Sequence, residues 1–188
     1  MQSVIHTVLS GANIGIFVLA TLAFVVRFIL GNRDDKLAEG ADVVAYVAAG
    51  TGVALAVFTG LSGYFLTWPQ DAIRSTLLTQ NKVLATTALL VCWGMFFVLR
   101  WQVGKSLWKN LALKLWAMAL VGFGFVNVVM LGSLGGSAAL IGSLLDPALI
   151  SLNINRFVSI AWLPVLSVIL ILIGVLGFLF PMFQRNRR

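Results

Sequence analysis

Read from the N-terminus, apolar positions run almost unbroken through residues 8–30, and the one charge in that stretch, Arg27, sits a turn from its end. A polar stretch follows, from Gly31-Asn32-Arg33-Asp34-Asp35-Lys36 to Asp42. The apolar pattern resumes over 43–67 and stops at Trp68-Pro69, an aromatic residue followed by a helix breaker. Further runs cover 82–99, 115–134, with a Gly-rich continuation, and 158–180. Each has roughly the 20 residues needed to cross the hydrocarbon core of a bilayer. Lipid offers no water to backbone N–H and C=O groups, so a chain crossing it must bond them within its own segment, as a helix does. The pattern therefore predicts an all-α fold: one domain over 1–188, built as an integral membrane bundle of five transmembrane helices.

Composition sharpens this picture. The chain has 188 residues, 60% hydrophobic and 10% charged, against about a quarter charged in soluble domains. Five spans with short connections leave no segment for a separate aqueous domain. The formal charge of +7 raises the question of nucleic acid, but the basic residues flank apolar runs. There they report orientation and contact with lipid headgroups, so no nucleic acid partner is expected. The N-terminal Met1-Gln2-Ser3-Val4-Ile5-His6 has no basic n-region and its apolar run is too long for a signal h-region, so the first span is expected to be retained. Cys92, the single cysteine, lies in an apolar run and reads as a small packing residue. No internal repeat is visible.

The 13 Lys and Arg residues divide unevenly between the two ends of the predicted bundle. Arg27, Arg33, Lys36, Arg100, Lys105, Lys109, Lys114, Arg185, Arg187 and Arg188 fall on one side, and Arg74, Lys82 and Arg156 on the other. The positive-inside rule then predicts the N-terminus outside and the C-terminus in the cytoplasm. Trp101, Trp108 and Trp116 fall at the cytoplasmic boundary and Trp68 and Trp162 near the outer one, as an interfacial aromatic belt. The segment 100–109 mixes basic and aromatic residues. It reads either as an interfacial helix with Trp101, Trp108 and Leu111 on one face or as a solvated loop. Asp146-Pro147 has the form of a helix N-cap and first-turn proline, which predicts a short helix over 147–152.

Candidate chemistry is sparse. Apart from Arg27, no run carries an ionisable residue at membrane depth, where proton relays and ion pathways place them. His6, the one histidine, reads as a solvent-facing terminal residue, with haem or metal ligation as the alternative. No constellation of a catalytic or metal site is present, so no catalytic residue and no metal is assigned. Small residues recur at four-residue spacing instead. Ala48, Gly52, Ala56 and Gly60 make one stripe, Gly11 and Gly15 a second, Gly132 and Gly136 a third. Such stripes let helix backbones approach closely.

Stretches of the first four spans resemble a prokaryotic four-helix membrane family designated domain of unknown function 2231. The resemblance is carried by Ala45-Tyr46-Val47-Ala48-Ala49-Gly50, Phe58-Thr59-Gly60-Leu61-Ser62-Gly63-Tyr64, the region from Thr79-Gln80-Asn81-Lys82 to Leu99-Arg100, and Leu131-Gly132-Ser133-Leu134-Gly135-Gly136 with Gly142 beyond. It implies haem or quinone association in membrane electron transfer through histidines near the first and third helices. His6 corresponds to the first, and Gln80 or Asn81 stands where the other falls.

Together these readings lead to an expectation: a non-catalytic accessory subunit of a larger membrane complex, respiratory or otherwise redox, in a prokaryotic plasma membrane. Its expected partners are other membrane subunits and lipid, and it binds no cofactor by itself. The alternatives are a haem- or quinone-associated electron-transfer protein and, third, a small-solute transporter. The missing mid-span charge argues against the transporter.

Overall fold

The computed structural model describes residues 2–31, 35–67 and 77–138, which are helical and contain no strand. Helix α1 spans Gln2–Leu30 and α2 spans Lys36–Ser62, continued by a π-helical turn over Gly63–Thr67. Helix α3 spans Leu77–Val103, a 3-10 turn covers Gly104–Trp108, and α4 spans Leu111–Ala138. Four helices are long and apolar enough to cross a membrane: Val4–Leu30, Lys36–Phe65, Thr79–Trp108 and Leu111–Gly132. The predicted fifth span over 158–180, the short helix over 147–152, and Trp68 and Trp162 lie outside the described residues.

Local chemistry sets the ends of these helices. Gly31 takes φ +63° and returns its N–H to the carbonyls of Arg27 and Phe28, closing α1. Asp35 caps α2 by accepting the Ala38 N–H at 2.7 Å, and Glu39 adds negative charge near the helix's positive end. Gly104, at φ +61°, ends α3 in a conformation that disfavours a side chain. Asn110 caps α4 by accepting from the Leu113 N–H at 3.2 Å.

These caps lie beyond the apolar runs, so the helices extend past the predicted spans. α1 begins at Gln2 rather than residue 8, and α2 at Lys36 rather than 43. α3 covers Leu77–Val103 rather than 82–99, and α4 covers Leu111–Ala138 rather than 115–134. A helix continues until its terminal N–H and C=O groups find partners; hydropathy falls off at the first charged turn.

The helices pack in a ring: α1 on α2, α2 on α3, α3 on α4, and α4 back on α1. Glycines set the approach at three seams. A Cβ on Gly52 of α2 would lie 2.7 Å from the Phe17 ring of α1; one on Gly50 would lie 2.6 Å from the Phe97 ring of α3. At Gly124 of α4 it would lie 2.6 Å from Trp93 Nε1. The interior holds a ladder of rings: Phe17 on Trp93 (5.0 Å between centroids), Trp93 on Phe96 (6.0 Å), Phe96 on Phe24 (5.5 Å) and Phe24 on Trp108 (5.6 Å). Ala20, Ala45, Ala49, Ala56 and Ala117 are buried around it, while Ile29, Phe58, Phe65 and Phe123 are exposed. Alanines pack around the interior rings while large apolar side chains also face outward, an arrangement expected where lipid is the solvent.

Candidate functional site

The polar chemistry of the described residues collects at the two ends of the bundle. At one end, α2 carries Asp42, 5% exposed, within a candidate span. Its carboxylate is held on both oxygens. Arg100 of α3 donates Nε–H to Oδ1 at 2.9 Å and an Nη2 proton to Oδ2 at 2.5 Å, and the Trp108 indole N–H donates to Oδ1 at 2.8 Å. The Arg27 guanidinium lies 4.9 Å from the Trp108 ring centroid and bonds the Gly31 carbonyl at 2.9 Å, tying the end of α1 to the same cluster. Lys114 of α4 stands 5.2 Å from the Phe28 ring centroid, and Lys105 pairs with Glu39 nearer solvent.

One pairing does not show in the apolar pattern, and one expectation is corrected. Asp42 and Arg100, each one residue outside the apolar runs 43–67 and 82–99, form a buried ion pair within helices long and apolar enough to cross a membrane. Trp108, expected in the interfacial belt, is 1% exposed and serves as a hydrogen-bond donor inside the bundle. The shared face of Trp101, Trp108 and Leu111 does not form: the 3-10 turn directs Trp108 inward while Trp101 (68% exposed) and Leu111 face outward. Trp116 is also exposed. A signal for Asp42 was present in the sequence. Ala38, Asp42, Ala45, Ala49, Gly52 and Ala56, all buried, follow one another at three- and four-residue steps, so Asp42 lies on the small-residue face of α2.

At the opposite end, His6 is half-buried rather than solvent-facing, with Nδ1 3.1 Å from Ser62 Oγ. The Ser62 hydroxyl in turn donates to the Thr59 carbonyl at 2.8 Å. Ser10 bonds the His6 carbonyl at 2.8 Å. Helix α3 adds Thr79, Gln80 and Asn81, all buried, and brings Lys82 within electrostatic reach of His6. The third-helix positions matched by the family resemblance are therefore at the level of His6.

The stripes separate by environment. Ala48, Gly52 and Ala56 are buried, and Gly52 lies against the Phe17 ring of α1. Gly60 approaches Thr86 of α3, its would-be Cβ 3.9 Å from Cγ2, and Gly132 approaches Ile14 of α1 at 3.6 Å. Gly136 lies in α4, with nothing described of its surroundings. Gly11 and Gly15 are exposed on α1, and a Cβ there would meet nothing described within 4 Å. Among the described residues no group of three or more His, Cys, Asp and Glu is disposed to hold a metal ion. No family model, curated protein or solved structure matches this chain.

Proposed function

We propose that the chain is a non-catalytic accessory subunit embedded in a larger complex, respiratory or otherwise redox, of a prokaryotic plasma membrane. In this reading its N-terminus is outside and its C-terminus cytoplasmic. The observation that carries the reading is the way Asp42 is used. A carboxylate inside a membrane helix is a candidate proton or ion carrier, but this one is held by three donors from Arg100 and Trp108. A group so held fastens helices together; moving a proton through it would require breaking the pair. The outward strip of Gly11 and Gly15 supports the assembly part of the reading, because it gives a neighbouring helix a smooth backbone to approach.

The test is tagged purification from native membranes in a mild detergent, followed by mass spectrometry and an optical spectrum. The reading expects other membrane polypeptides in fixed ratio with this chain. It fails if the chain elutes alone while known complexes from the same membranes stay intact. A Soret band from the chain purified by itself would replace it with the haem-associated alternative.

A further inference from the structure

The polar end of the bundle contains groups that the His6–Ser62 contact leaves unused. Asn81 is 6% exposed, and neither its Nδ2 nor its Oδ1 has a hydrogen-bond partner; Asn13, 9% exposed, has an unpartnered Oδ1. The ring contacts give their level. Helices α1 and α3 meet at Phe17 and Trp93, and His6 and Asn81 both lie about 17 Å back along their helices from that contact, at 1.5 Å per residue. Asn13 lies about 6 Å back on the same scale, between the ring layer and the His6–Asn81 level. Asn13 is thus the deeper of the two unpartnered amides, on the His6–Asn81 side of the packed rings.

We propose that this end of the bundle is a blind, water-filled vestibule whose bound water is held by Asn81 and Asn13. The unused groups select the occupant. An anion would need donors alone and a cation oxygen atoms alone, whereas Asn81 presents an NH2 and a carbonyl together and Asn13 adds a second carbonyl. Water, which donates two hydrogen bonds and accepts two, fits a neutral mixed set of this kind. The Phe17–Trp93–Phe96–Phe24 ladder stands at the inner end, and Trp93 Nε1, though also unpartnered, is packed against Gly124, where an added Cβ would lie 2.6 Å away; this makes the feature a vestibule rather than a conduit.

Water-edited solid-state NMR of the full chain in lipid bilayers tests this directly. Magnetisation from water is expected to reach the side-chain amides of Asn81 and Asn13 at short mixing times that leave the Trp93 indole N–H dark. Asn81→Leu, similar in size and unable to hold water, is expected to abolish transfer to Asn13 while the Trp93 signal keeps its position. Asn81 as dark as Trp93, or cross-peaks from Asn81 to a lipid or co-purified molecule in place of water, would overturn the proposal. So would transfer to Asn13 that persists in a folded Asn81→Leu variant.

Discussion

Asp42 and Trp108 illustrate how a residue's role depends on partners that are distant in sequence. Asp42 is contacted by residues 58 and 66 positions away, and no local pattern reports such a meeting. Trp108 sits beside basic residues in the sequence, which favours reading it as a headgroup anchor, yet its ring fills the base of the aromatic ladder. Removing one partner of a buried ion pair leaves the other charge without compensation. Asp42→Leu is therefore expected to cost about 3–5 kcal/mol, with much of that recovered in the Asp42→Leu/Arg100→Leu double variant. Unfolding in bilayer-mimetic micelles, followed by tryptophan fluorescence, reads out the cycle; additive losses would contradict the pairing. Trp108→Phe keeps a ring against Phe24 but loses the N–H to Asp42, and about 2 kcal/mol of destabilisation is expected for a lost hydrogen bond to a charged group. The same melt measures it. The exposed Lys105–Glu39 pair is expected to contribute about 0–1 kcal/mol, since solvent screens it.

At the scale of the elements, the first four apolar runs each contain the middle of a described helix. Their ends depend on Gly31, Asp35, Gly104 and Asn110, which act through backbone geometry and single hydrogen bonds and lie outside the apolar stretches. The small-residue stripes were legible as stripes, but their surroundings were not. Gly52 lies under a ring of the neighbouring helix, whereas Gly11, with the same spacing logic, meets no described atom within 4 Å. The two glycines should therefore respond in opposite directions to the same substitution. Gly52→Ala forces Phe17 out of place and is expected to destabilise by about 1–3 kcal/mol. Gly11→Ala relieves a glycine's helix penalty and is expected to stabilise the isolated chain by about 0.5–1 kcal/mol. Equal shifts in the unfolding midpoints of the two variants would contradict the packing at the α1–α2 seam.

Across the described residues the chemistry is layered along the bundle: an ionic brace at one end, aromatic rings in the middle, and at the other His6, Lys82 and a set of buried polar side chains. The membrane character was legible because 60% hydrophobic composition and run length act at low resolution. The layering was not, because it arises from the register of four helices, fixed by contacts such as Phe17 on Trp93 and Phe24 on Phe96. The proposed orientation makes a clear prediction. With Cys92→Ala as background, Lys109→Cys should react with a membrane-impermeant thiol reagent only after cells are opened, and labelling of intact cells would reverse the orientation.

The most direct test of the central claim, that this chain is built to be part of an assembly, is native mass spectrometry of particles ejected from the membrane with their surrounding lipid. The chain is expected in a defined hetero-oligomer, dissociating from other membrane polypeptides only on activation. A population consisting solely of the bare chain with lipid, from membranes whose other complexes survive ejection, would contradict it.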